Sequence, residues 1–199
     1  RDVHSFPTRR SSDLELETRM TNVNGRGGAR PRSPARTDDL DDRGFAFLQC
    51  PLCGGSLARS AAGGVQCERC RTVTQAPGGI IDFVAGSSST ELDKLDYDAF
   101  YAISEAASQN LFELIQSAAG ARWPSNLGNA VEIGCGTGGF SWAVLRQTPS
   151  DCMIVTDVSA KMLGICRNRL DRLDDVRADT VLFSTYSGTE DCFRSGVFD

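Results

Sequence analysis

Val131-Glu132-Ile133-Gly134-Cys135-Gly136-Thr137-Gly138-Gly139-Phe140 is the stretch from which the rest of the chain can be read. An apolar run over residues 130–133 carries one acid, Glu132, and then breaks into glycines at alternate positions. Glycine at that spacing lets a backbone bend sharply off a strand end and approach a ligand closely, with no Cβ in the way. The next residues, 139–147, read as a helix whose first N–H groups point at the same spot.

Working outward, residues 152–155 read as a second strand ending at Asp157. A helix follows from Ser159, a good N-cap, through Met162, Leu163, Cys166 and Leu170, and a third strand covers about 180–183. Upstream, residues 91–119 read as helical, with Leu92, Leu95, Phe100, Leu111, Leu114, Ile115 and Ala118 near a 3.6 period and Gly120 as a stop. This β-α-β-α-β rhythm predicts an α/β fold, a Rossmann-like doubly wound parallel sheet of which the first three strands are present.

The glycines alone leave two ligands open. Gly134, Gly136 and Gly139 satisfy the dinucleotide pattern Gly-x-Gly-x-x-Gly, which seats a pyrophosphate on a helix N-terminus and would make the chain an NAD-dependent oxidoreductase. Glu132 argues the other way: a carboxylate beside the loop repels a pyrophosphate but suits a ligand bearing an ammonium and a sulfonium. Asp157, 19 residues after Gly138, stands where a carboxylate can accept hydrogen bonds from both ribose hydroxyls of a nucleoside, or merely cap the next helix.

Glu132, Gly134, Gly136 and Gly138 resemble the first motif of the class I S-adenosylmethionine-dependent methyltransferases, Asp/Glu-x-Gly-x-Gly-x-Gly. Asp157-Val158-Ser159-Ala160-Lys161-Met162-Leu163 resembles the second motif of the type 11 group, Asp-x-Ser-x-x-Met-Leu. The resemblance implies that Gly134, Cys135, Gly136 and Gly138 pass under the methionine portion of S-adenosylmethionine. By the same likeness Glu132 orients its amino group, Asp157 holds the ribose and Val158 packs against adenine. Where the family carries an acid after strand three, this chain has Ser184-Thr185-Tyr186-Ser187, with Glu190 and Asp191 a few residues late. Phe198-Asp199 matches the start of the fourth motif. The chain therefore reads as an N-terminal fragment whose strand one lacks its strand-four neighbour, expected to be inactive alone; no catalytic base is named.

Cys50-Pro-Leu-Cys53 and Cys67-Glu-Arg-Cys70 are two Cys-x-x-Cys knuckles 13 residues apart. Two knuckles brought together by a hairpin make a closed tetrahedral site for a structural Zn2+. Gly54-Gly55 is expected to supply positive φ after the first knuckle. The segment from Phe47 to Leu57, ending in Gly78-Gly79-Ile80-Ile81-Asp82-Phe83, resembles the Trm112-like zinc ribbons that precede bacterial methyltransferase domains. A second likeness, to the zinc front end of the 23S rRNA guanine-N1 methyltransferases, departs at Cys70, where that family has a histidine. The ribbon is expected to fold on its metal independently.

Composition bounds the rest. A net charge of −5, with 12 basic and 18 acidic residues from Cys50 onward, argues against a general nucleic-acid binder. The expected acceptor is a small molecule, with rRNA or tRNA as the alternative; beside the oxidoreductase reading, a non-catalytic zinc-ribbon adaptor is the other class left open. No stretch is apolar enough for a membrane span or a signal peptide, so a cytoplasmic protein is expected. Residues 1–14 resemble translated sequencing-adapter read-through, with Met20 as a start, and His4, the only histidine, receives no role. The expected organisation is a disordered leader and linker over 1–44, a ribbon over 45–85, a Gly/Ser hinge at 86–90 and the methyltransferase segment over 91–199.

Overall fold

The computed structural model describes residues 42–84, 98–172 and 178–199. Of the leader and linker expected over 1–44, residues 1–41 lie outside the described residues, as do 85–97, where the hinge and the start of the upstream helix are expected, and 173–177.

Three strands alternate with helices as the sequence predicts: β5 (Asn129–Ile133), α2 (Gly139–Gln147), β6 (Ser150–Asp157), α3 (Ala160–Leu170) and β7 (Ala178–Thr185). They run longer than their apolar runs because the ladder needs only backbone. Polar Ser150 and Asp157 pair with Ala178 and Thr185 as well as Met153 does with Val181. β6 is paired on both sides, to β5 and β7, and both its faces are covered. Met153 and Val155 pack with Leu145, Leu163, Cys166 and Phe183 on the α3 side, while Cys152 and Ile154 face the other way. That double burial is why its sequence reads as a near-continuous apolar run.

Before these come a small antiparallel sheet of β1 (Leu57–Arg59), β2 (Val65–Cys67) and β3 (Val73–Thr74), then β4 (Ile80–Asp82). β4 pairs in parallel with β7, placing Ile80 opposite Phe183 and Asp82 opposite Thr185. The parallel sheet thus has four strands in the order β4-β7-β6-β5, one more than the three expected. The extra strand is the Ile80-Ile81 pair that the sequence reading leaves at the tail of the ribbon. In the sheet Ile80 is buried on the α3 side and Ile81 on the ribbon side. A turn at Pro77–Gly79, with Gly78 at φ 58° and Gly79 at φ 79°, directs the chain into it.

The ribbon does not stand apart from the sheet. Phe45, Leu48, Leu57 and Val65 share one core with Ile154, Leu182 and Cys192. The segment after β7 returns alongside the ribbon: Gln49 N donates to Cys192 O (2.9 Å), and Arg194 N to Phe47 O (3.0 Å). Arg194 also donates through Nε to Leu48 O and through Nη2 to Ser56 Oγ. Much of the ribbon's apolar surface is thus covered by the sheet.

Helix α1 (Asp98–Ala119) ends near Gly120 as expected but buries a different face. Phe112 is fully buried, edge-on to Trp123 (centroids 5.3 Å) and packed on Ala143 and Val144 of α2. Leu111, Leu114 and Ile115, read from the sequence as packing positions, are 49%, 67% and 39% exposed. Glu105 sits on the inward side, 3.9 Å from the buried Arg169. At the opposite edge of the sheet, Asp199 N donates to Asn129 O and Asn129 N to Asp199 Oδ2. Beyond that, no described strand pairs with the outer edge of β5. No described helix is long and apolar enough to cross a membrane.

Candidate functional site

The glycine loop leaves β5 at Ile133 and is pinned to β6 at once. Gly134 N and Cys135 N both donate to Thr156 O at 2.9 Å. Gly134, Gly136 and Gly138 have φ of 76°, 54° and 75°, the left-handed region in which a side chain is strained. Their surroundings differ. A Cβ on Gly134 or Gly136 would meet nothing within 4 Å, whereas one on Gly138 would run into the side chain of Cys166 on α3. The first two form an open cradle, and the third lets α2 and α3 close together. Cys135 turns its side chain inward, its Sγ 3.3 Å from Gly136 O. The neighbouring Cys166, together with burial, raises its pKa far above the usual thiol range, so it is no nucleophile and only its backbone faces the loop.

Two carboxylates flank the cradle. Glu132, near the end of β5, accepts a hydrogen bond from Ser141 Oγ of α2. Burial raises its pKa; the Ser141 hydrogen bond opposes that shift and the nearby Asp157 adds to it. Asp157, at the end of β6, is 9% exposed and ties the loop to the next helix. Its Oδ2 accepts from Gly136 N (2.8 Å) and its Oδ1 from Ser159 N (2.9 Å). Ser159 itself caps α3, accepting from Met162 N at 3.2 Å. Each Asp157 oxygen retains acceptor capacity beyond these bonds. Val158 lies next to it on the rim, 36% exposed. Among the described residues neither carboxylate is paired with a Lys or Arg.

At the same carboxyl edge of the sheet, Thr185 Oγ1 donates to Asp82 Oδ1 (2.8 Å), a contact between residues 103 positions apart that no local pattern announces. The Glu190 carboxylate folds back onto Ser187 N and Ser187 Oγ. Burial alone would raise its pKa, but these hydrogen bonds outweigh it and hold the group below its usual value. Sequence reasoning also missed Ser141. Its one signal is a lone hydroxyl on the buried face of an otherwise apolar helix.

The four knuckle cysteines converge, with ligand sulfurs all within 4.8 Å of one another. Cys50 and Cys70 Sγ are 3.6 Å apart and Cys53 and Cys67 Sγ 3.5 Å. A tetrahedron with metal–sulfur bonds of about 2.3 Å has edges of about 3.8 Å, so the spacing fits a tetrathiolate ion site. Burial pushes Cys50 up to about 11, while the hydroxyl and amide of Thr72 bring Cys70 down to about 6. The knuckles are conformational copies: Gly54 (φ 66°) follows the first and Arg71 (φ 64°) the second. Gly55, expected at positive φ, is not left-handed. It is needed for space, since a Cβ there would lie 2.8 Å from the Cys67 sulfur.

An apolar cleft of about 460 Å³ opens beside Glu132, lined by Trp123, Leu127, Val131, Ile133, Phe140 and Val144. Its walls come from β5, α2 and the segment before β5, together with Met153 of β6.

No family model matches the chain. Over 69 residues it is 41% identical to a malonyl-[acyl-carrier protein] O-methyltransferase of Magnetococcus marinus, a match covering 35% of this chain and 24% of that protein. The chain thus spans about a quarter of the length of the curated relative it matches.

Proposed function

We propose that this chain carries the cofactor-binding half of a class I S-adenosylmethionine-dependent methyltransferase acting on a small-molecule acceptor. One observation carries the reading: an open cradle at Gly134 and Gly136 flanked by Glu132 and Asp157, with no described cation on either acid. A pyrophosphate would meet net negative charge there, whereas a ligand with an ammonium and a sulfonium supplies the missing counter-charge. Likeness to an O-methyltransferase supports the same assignment.

In this reading Glu132 receives the ammonium, Gly134, Cys135, Gly136 and Gly138 give the backbone approach, Asp157 takes the ribose hydroxyls and Val158 borders the base. The cofactor supplies an electrophilic methyl for in-line transfer to a nucleophile, and the residues named here bind and orient it. The relative is by its name an O-methyltransferase of a malonyl-[acyl-carrier protein], which favours an acyl-type acceptor over RNA. Cys50, Cys53, Cys67 and Cys70 would hold one Zn2+ in a closed, structural site.

Isothermal titration with S-adenosylmethionine and, separately, NAD tests the reading. Saturable binding of the first with a stoichiometry near one is expected. Binding of NAD alone would replace the methyltransferase reading with the oxidoreductase one, and binding of neither, with a partner captured through the ribbon, would favour the adaptor.

A further inference from the structure

Ser141 is fully buried on α2, and its hydroxyl donates to Glu132 Oε2. Besides Glu132, its hydroxyl lies 3.9 Å from the Cys166 sulfur, a weak hydrogen-bonding atom. The charged and titratable groups around Glu132 are Asp157 from β6, Cys135 from the loop and Cys166 from α3, and no cation is among the described ones. Glu132 therefore depends on one neutral donor to stay ionised and oriented in a half-buried place. A hydroxyl bonded to one oxygen also fixes the carboxylate's rotation, leaving the other oxygen for a ligand.

We infer that Ser141 is a positioning residue that makes the site selective for the ammonium-bearing end of its ligand, an inference that rests on the cofactor reading above. It makes no contact with the ligand and acts through Glu132. Removing the hydroxyl should leave the nucleoside end of the site unchanged and weaken only ligands that carry the amino group.

The test compares S-adenosylhomocysteine, which keeps the ammonium, with 5′-methylthioadenosine, which lacks the amino-acid end, by titration calorimetry on the full chain. Wild type should prefer the first. Ser141→Ala should cut that preference roughly tenfold, the scale of a hydrogen bond to a charged group, while methylthioadenosine binds as before. The acid limb of S-adenosylhomocysteine binding should move to higher pH in Ser141→Ala, because the group that held Glu132 ionised is gone. In a Glu132→Gln background Ser141→Ala should change the preference no further; an equal loss in both backgrounds would mark a merely structural role and overturn the inference. An unchanged preference and an unmoved acid limb in Ser141→Ala would overturn it too. If wild type binds neither nucleoside, the cofactor reading fails and the inference with it. If wild type binds both without preference, the inference alone fails.

Discussion

Glu132 is a half-buried carboxylate, and the ligand-free chain bears the consequence. Its folded pKa is raised by burial, so the folded state holds its proton to higher pH than the unfolded state does. Stability is then fully present below the unfolded value near 4.5 and declines as pH rises through the raised folded value. Glu132→Gln keeps an oxygen for Ser141 and removes the charge. Melts of the ligand-free chain at neutral pH should therefore show this variant more stable than wild type, with a flatter pH dependence, while its S-adenosylmethionine binding is weakened. A variant less stable than wild type at neutral pH would contradict the burial argument. Asp157 is a different case, since both its oxygens already hold backbone N–H groups at the loop and at α3. Asp157→Ala should weaken S-adenosylmethionine by about 1.5–3 kcal/mol in calorimetry, through lost ribose bonds and a loosened loop. Gly136→Val should abolish binding by filling the open cradle, and full retention in either variant would remove that residue from the site.

At the scale of elements, the difference between what was legible and what was not lies in how local each signal is. Gly134 to Gly138, the Ser159 cap and the two knuckles are short-range chemistry, and each stands where its sequence implies. The fate of Ile80-Ile81 depends on β7, about a hundred residues later, and no local pattern contains that pairing. Helix α1 shows the same limit. Periodicity identifies an apolar line at Leu111, Leu114 and Ile115 but cannot say whether anything covers it, and here the contact with α2 is made by Phe112 instead. Phe112→Ala should therefore cost about 3–5 kcal/mol in denaturant unfolding, and Leu114→Gln no more than about 0.5 kcal/mol. Equal costs would mean that the apolar line is packed. Polar residues that serve the site escaped for a related reason: nothing in the sequence near Ser141 points to Glu132, nine residues earlier on a different element.

For the molecule as a whole, the ribbon and the parallel sheet are joined through a strand, a returning segment and a common core. Metal bound at the four cysteines should then stabilise more than the ribbon. Both tryptophans, Trp123 and Trp142, lie with the α2 side of the sheet, so their fluorescence reports the sheet while released zinc reports the ribbon. Heating the zinc-loaded chain should give coincident transitions by the two signals, and a chelator should lower the fluorescence midpoint as well. Zinc leaving well before the fluorescence changes would instead show a ribbon that folds independently. Cys67→Ser should retain less than one equivalent of zinc per chain by metal analysis. The claim on which the rest depends is that the loop between β5 and α2, with its two acids, receives the cofactor. The most direct measurement is an amide-resolved NMR titration of the chain with S-adenosylhomocysteine. Saturable shifts are expected, centred on Gly134, Cys135, Gly136 and Ser159, with the ribbon amides around Cys50 and Cys67 little moved; saturation without movement of the loop amides would contradict cofactor binding there.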